Sequence, residues 1–262
     1  PDGYDLIFGP ISAANEAPGY MGFEFLDEYN PCACATFCNE RAPDAEGGAC
    51  KFFNIWRAEV NGTAKTYTCS MYTLPTNAST ATNKGQGNLT VSLSRGYARK
   101  TYITDGEFEQ YTCPTGQDPS FCFADQAPGW NGTSPVGGFK DATIFHFEEY
   151  AHEGSGVGLL GCAFGTDAMP GTLRPTLLGL QRGRNYSVQF FHSSTYSGED
   201  LEGPSFVEVL WNGAVAGSVR VGYSPWTYFS FTVKAFGQGK DVLAFKGGMA
   251  PAYDFIDDVY VF

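Results

Sequence analysis

The sequence predicts a mainly β protein in two modules: a disulfide-stapled α+β module at residues 1–100, then an antiparallel β-sandwich at 101–262. Three observations carry this. Cysteines gather early, five of the eight falling within the first 69 residues. From residue 101 onward, strand-like runs recur between turn signals and no segment has helical periodicity. The composition, with 33 Gly, 15 Pro and 16 % aromatic residues, suits many short strands joined by tight turns. At 262 residues and 43 % apolar, the chain can fill a sizeable core.

Taken in order, Tyr4 to Phe8 reads as a short opening strand. Pro31 to Ala42 reads as a helix, with Asn30 as N-cap and Pro31 in the first turn. Cys34 and Cys38 are four apart and so share one helical face. Strands follow at Cys50–Trp56 and Thr66–Tyr72, with a turn at Asn61-Gly62 between them. Leu89 to Leu93 is a closing strand, and Arg99-Lys100-Thr101 a short boundary. In the second module, Pro128 to Gly132 reads as a turn. Strands are expected at 142–147, 186–191, 206–211, 218–221, 226–233, 241–245 and 253–262, together forming a two-sheet jelly roll.

Sixteen basic against 28 acidic residues give a net charge of −12. The excess sits mainly from Thr101 onward, with eight basic and eighteen acidic residues. Nothing resembles a basic stripe that would displace phosphate counterions, so nucleic acid is not an expected partner. No apolar run approaches a membrane span. The opening Pro1-Asp2-Gly3-Tyr4 carries no signal peptide and reads as a mature chain. Paired cysteines and sequons at Asn61, Asn77, Asn88, Asn131 and Asn185 point to an extracellular, secreted or cell-wall-associated glycoprotein.

The first module resembles the PAN/apple family, especially the N-terminal module of secreted fungal proteins. The likeness covers residues 4–98 and rests on the C-x3-C helix, the Cys50-Lys51-Phe52-Phe53 strand and the Thr68-Cys69-Ser70-Met71-Tyr72 strand. It implies the pairs Cys34–Cys69 and Cys38–Cys50. A zinc reading of these cysteines lacks the paired knuckles such sites use. The separation of Cys113 and Cys122 suits a closed surface loop, leaving Cys32 and Cys162 as a bridge between the modules.

Residues 103–262 resemble the galactose-binding-like jelly rolls of carbohydrate-binding modules. The matching motifs are Asp105-Gly106-Glu107-Phe108-Glu109, Pro128-Gly129-Trp130, the run from Trp226 to Val233, Gly239-x3-Leu243-x-Phe245, and the closing Ile256-Asp257-Asp258-Val259-Tyr260-Val261. The resemblance implies a structural calcium ion held by Glu109 and an aspartate of the final strand, Asp257 being preferred as the inward-pointing one. Read from the strand alone, one aspartate faces solvent and the other accepts backbone N–H bonds.

Sugars are recognised by aromatic faces with polar groups beside them. Trp211, before a hairpin turn at Asn212-Gly213, is either an exposed platform or a cross-strand packing residue. Trp130 and Trp226 occupy motif positions and read as core in preference to platform. Tyr196 and Asp200 lie in a long polar loop of the kind that gathers binding residues. Enzyme signatures are absent: Gly156-x-Gly158-x2-Gly161 has no βαβ context and reads as turn glycines, the three histidines have no ligand spacing, and Glu148 and Glu149 point apart. The expectation is a non-catalytic, lectin-like protein whose partners are glycans or cell-wall polysaccharide. The alternatives are a structural or adhesive protein acting through protein contacts, and a cryptic glycoside hydrolase.

Overall fold

The computed structural model describes residues 1–262. The chain is mainly β and forms two compact units, Pro1–Lys100 and Thr101–Phe262.

The first unit carries β1 (Tyr4–Ile11), β2 (Tyr20–Leu26), α1 (Pro31–Glu40), β3 (Phe52–Val60), β4 (Thr63–Tyr72) and β5 (Leu89–Arg99). Its antiparallel sheet runs β1-β5-β3-β4-β2. The Asn30 side chain accepts the N–H groups of Cys32 and Ala33, both at 3.1 Å, and so caps α1, which starts at the proline. Asn61 and Gly62 both take positive φ, 51° and 76°, so the two-residue turn matches the twist of β3 and β4. Helix and sheet are joined by Cys34–Cys69 and Cys38–Cys50. Their sulfurs lie in the core beside Phe53, Ile55 and Met71.

The second unit is a sandwich of two six-stranded sheets. Its strands are β6 (Cys122–Ala124), β7 (Gln126–Ala127), β8 (Trp130–Thr133), β9 (Ala142–His146), β10 (Gly156–Leu160), β11 (Gly171–Pro175), β12 (Asn185–Ser193), β13 (Val207–Trp211), β14 (Ala214–Val219), β15 (Thr227–Lys234), β16 (Leu243–Gly247) and β17 (Asp254–Val261). One sheet runs β15-β12-β17-β10-β9-β6 and the other β14-β13-β16-β11-β8-β7. Ile144, Leu160, Val188, Phe190 and Ile256 of the first sheet meet Leu173, Val207, Val209, Leu243 and Phe245 of the second. The expected strands are all present with shifted ends, and the chain here has no helix beyond 3-10 turns.

Several expectations need correction. The Gly156–Gly161 run is not a turn: Gly156–Leu160 is β10, a strand between β9 and β17. Its glycines are needed for close approach, since a Cβ on Gly156 would collide with the Phe108 carbonyl oxygen. Likewise a Cβ on Gly158 would lie 2.8 Å from Ile256 and 2.9 Å from Leu173 and Phe108. Trp130 lies in the core as expected, but it opens β8 instead of a turn, packs on Phe108 and donates its indole N–H to the Asp105 carbonyl at 2.7 Å. No bridge joins Cys32 to Cys162. Cys32 is exposed, whereas the buried Cys162 sulfur is engaged by Thr166 of its own loop and by the Phe139 carbonyl before β9. Cys113 and Cys122 are bonded.

Strict alternation along the final strand, which would put Phe255, Asp257, Val259 and Val261 on one face, also fails. Phe255 faces outward and Ile256 inward, but Val259 and Val261 face inward as well. The pairing with β12 slips between Phe191↔Asp257 and Gln189↔Tyr260, and Asp258 sits at φ 48°. Asp258 is therefore the extra residue of a β-bulge, in a conformation that Asp tolerates better than most residues.

Candidate functional site: an aromatic face on the second unit

The sheet that contains β17 is apolar on both sides, because its strands carry large residues at alternate positions in both phases. On the side away from the sandwich core, Phe123, Phe145 and Val157 form one cross-strand row, and Leu159 and Phe255 another. These side chains are nearly inaccessible themselves. Loop aromatics cover and extend them: Phe147, Tyr150, Tyr253 and Trp226 pack against the rows. Phe121, Phe139, Phe164 and Tyr196 complete the layer and remain exposed, Phe164 by 53 % and Tyr196 by 47 %. Ring contacts run continuously from Phe139 through Phe164, Phe123 and Phe145 to Phe255, and from there to Tyr196 and Tyr253. A field of half-exposed rings on a rigid sheet is a surface that flat, C–H-rich ligands can lie against.

The sequence-expected residues divide. Tyr196 belongs to this face, standing edge-on to Tyr150, Tyr253 and Phe255 at 5.1–5.9 Å. Trp226 is half-buried at its margin, edge-on to His152. Asp200 is exposed in the 3-10 turn Glu199–Leu201 beyond Tyr196. Trp211 is not a platform: it is 8 % exposed, lies in the sandwich core and donates its indole N–H to the Lys234 carbonyl at 3.0 Å. Phe121, Phe139, Phe164 and Tyr253 were missed by sequence reasoning. The available signal was a large apolar ring in a Gly-rich or Pro-flanked loop, as in Gly138-Phe139 and Ala163-Phe164-Gly165, where no core periodicity accounts for it.

Two carboxylates hold the loop that closes this face. Glu109 accepts the N–H groups of Ser155 and Gly156, both at 2.7 Å. Asp257 accepts those of His152 at 2.8 Å and Asp258 at 2.7 Å. Glu109 and Asp257 thus clasp one loop from separate parts of the chain. His152 adds a contact at 2.6 Å to Asp258 and stacks on Phe191 with centroids 3.9 Å apart. Burial, and then the neighbouring Asp258 charge, push the Asp257 carboxyl well above the usual range. Asp258 Oδ1 is buried without a partner. The side-chain atoms here that lie within 4.8 Å of one another and could hold a cation are those of His152, Glu153 and Asp258. Glu148 and Glu149 are exposed in a single 3-10 turn.

The first unit has its own aromatic groove, of about 430 Å³, walled by Tyr20, Phe23, Phe25, Trp56 and Tyr72. Two buried atoms without partners, Asn15 Nδ2 and Thr68 Oγ1, belong to residues of its wall. All five sequon asparagines, Asn61, Asn77, Asn88, Asn131 and Asn185, are exposed. No helix is long and apolar enough to cross a membrane.

No family model and no curated protein matches the chain. Solved structures do resemble it in part. The carbohydrate-binding module TmCBM61, solved with β-1,4-galactotriose, is 16 % identical, matches 62 % of this chain and 98 % of its own, and superposes with a TM-score of 0.35. The C-terminal family 22 carbohydrate-binding module of Clostridium thermocellum Xyn10B is 11 % identical over 60 % of this chain and 95 % of its own, with a TM-score of 0.36. The K1 cleaved adhesin domain of Lys-gingipain from Porphyromonas gingivalis is 11 % identical over 52 % and 92 %, with a TM-score of 0.41.

Proposed function

We propose that the protein is a secreted, non-catalytic glycan-binding protein of the lectin type, whose platform is the outer aromatic face of the second unit. The observation that carries this reading is the run of rings ending in the half-exposed Phe139, Phe164 and Tyr196. Pyranose rings present flat C–H faces to such side chains, while Tyr196 and its neighbouring polar loop supply groups for the hydroxyls. The ring field supports this reading.

The first unit is read as PAN/apple-like, supported by a single helix clamped to its sheet through Cys34–Cys69 and Cys38–Cys50. Secretion to the cell exterior or cell wall is supported by the disulfides and the exposed sequons. A structural calcium ion is proposed with Glu109 and Asp257 as ligands, supported by both carboxylates holding the 152–156 loop. Chelation with EDTA is expected to lower the melting temperature, and calcium but not magnesium to restore it. The calcium response should vanish in Asp257→Asn. Melting that is unchanged by chelator and calcium removes the ion from the reading.

The binding reading is tested with the whole chain on a glycan array and by affinity electrophoresis in polysaccharide gels. Retardation should fall at least tenfold in Tyr196→Ala and Phe164→Ala, each removing one exposed ring. Binding lost in Phe25→Ala but kept in both of those variants would move the site to the groove of the first unit. No binding to any glycan by folded, calcium-loaded protein would favour the alternative in which the aromatic face serves protein contacts.

A further inference from the structure

The pairing of β9 with β10 ends at Ala142↔Leu160, so Asp141 and Cys162 leave the sheet side by side at one end. Their backbones stay joined: Gly161 N–H donates to the Asp141 carbonyl at 2.7 Å, and Ala163 N–H to the Lys140 carbonyl at 2.9 Å. The chain then turns tightly, with Gly165 N–H on the Cys162 carbonyl and Thr166 N–H donating to Cys162 Sγ at 3.3 Å. That turn brings Asp167 back towards Asp141. The N–H groups of Phe139 and Met169, each at 3.1 Å, hold the Asp167 carboxylate in place. As a result the Cys162 sulfur and one oxygen from each aspartate all lie within 4.8 Å of one another.

The second observation is Asp141 itself. It is fully buried, and neither of its carboxylate oxygens makes a well-formed hydrogen bond, although Ser134 and the Asp167 carboxylate lie close enough to act on it. The adjacent Lys140 is turned to Asp125, at 2.8 Å, and does not neutralise it. Space is kept open beside the carboxylate because residue 138 is glycine: a Cβ there would run into Asp141 Oδ2. Burial raises the Asp141 carboxyl. Burial also opposes ionisation of the Cys162 thiol, but bonds from the Thr166 hydroxyl and nearby backbone N–H groups outweigh it and bring the thiol below its usual value. Two carboxyl groups and a thiol thus converge in a buried place, and burying a carboxylate without a balancing charge is among the costliest things a protein can do.

We propose that Asp141, Cys162 and Asp167 form a structural zinc site, with one sulfur and two carboxylate oxygens as protein ligands and water in the fourth position. The thiolate decides the class of metal, because calcium and magnesium take oxygen donors while zinc accepts sulfur and carboxylate together in a tetrahedral shell. Binding replaces the thiol S–H bond by a Zn–S bond, and the proton goes to solvent. The site accounts for a buried free cysteine in a chain whose other buried cysteines are all bonded. It would also fasten together the segments carrying Phe139 and Phe164, which stack at 6.0 Å. The proposal does not depend on what the aromatic face binds.

The test uses the whole chain with Cys32→Ser, so that Cys162 is the only free thiol. After removal of bound metal, cobalt(II) should give a sulfur-to-cobalt charge-transfer band in the near ultraviolet and tetrahedral bands in the visible. Both should saturate at one equivalent and be displaced by zinc. The charge-transfer band should be lost in Cys162→Ser, and affinity should fall at least tenfold in Asp141→Asn, while His152→Ala keeps the spectrum. Absence of the charge-transfer band in the folded Cys32→Ser protein overturns the site without relying on any variant that might misfold. A band that survives Cys162→Ser, or affinity unchanged in an Asp141→Asn/Asp167→Asn double variant, overturns it equally.

Discussion

Glu202 lies fully buried beneath the loop that carries Tyr196. Its Oε1 accepts the Ser197 N–H at 3.3 Å, and its Oε2 has no partner. Burial raises its carboxyl to about 7, the Ser197 bonds oppose the rise, and the nearby Asp254 charge adds to it. The folded state therefore binds the proton more tightly than the unfolded state, whose carboxyl titrates near 4.5. Between those two values the folded chain holds more protons, so stability falls as pH rises through the window and is level on either side. Glu202→Gln mimics the protonated form. Thermal melts of the pair should coincide near pH 4 and separate by pH 7.5, with the variant melting higher. Parallel curves across the window would mean that Glu202 does not carry this titration.

Residues of this kind mark where the sequence stopped being legible. Tyr196 could be read as a loop aromatic because its neighbours are polar. Trp211 could not be resolved, since a tryptophan before a hairpin turn packs inward or outward according to a partner strand that lies far away in sequence. The aspartate pair shows the same limit: a single bulge at Asp258 shifts every later side chain to the other face, and no local signal announces it. Asp141 and Cys162 are unremarkable as sequence, and become a cluster only because β9 and β10 pair in the register they do.

At the scale of elements, strands of mixed period were recovered in β12, β15 and β17, where β-branched and aromatic residues dominate, whereas the aromatic β2 was missed. The strand β10 was lost because its glycines imitate a turn. Those glycines are instead a packing requirement. Gly156→Ala would drive a methyl group into the Phe108 carbonyl, which backbone on a buried strand cannot readily avoid. The expected cost is about 1–3 kcal/mol or more, measurable as a lowered denaturation midpoint at unchanged slope. The loop from Phe147 to Ser155 should lose hydrogen-exchange protection first, because its anchors on Glu109 sit beside this strand. Unchanged stability would indicate that β10 has more freedom than its contacts imply. At the other kind of element boundary, Asn30→Ala removes the acceptor shared by two N–H groups of α1 and should cost about 1 kcal/mol.

On the scale of the whole molecule, the two units are stabilised in different ways. The second fills a two-sheet interior with large side chains such as Phe108, Trp130, Tyr186, Phe190 and Phe245. The first is small, and its main core interleaves Cys34, Cys38, Cys50 and Cys69 with Tyr4, Phe53, Ile55, Met71 and Tyr97. A unit of this size buries too small a fraction of its surface to hold a large margin, so its cross-links restrict an unfolded state that packing alone would leave competitive. The double variant Cys34→Ala/Cys69→Ala opens a bridge spanning 35 residues of sequence and should cost the first unit about 2–5 kcal/mol. Protection of β3 and β4 amides should drop accordingly in native-state hydrogen exchange. Protection of β12 and β17, which lie in the separate core of the second unit, should stay as in the parent chain. Equal losses in both sets of strands would mean that the units unfold together, and that the first does not depend on its disulfides in the way its sulfur-rich core implies.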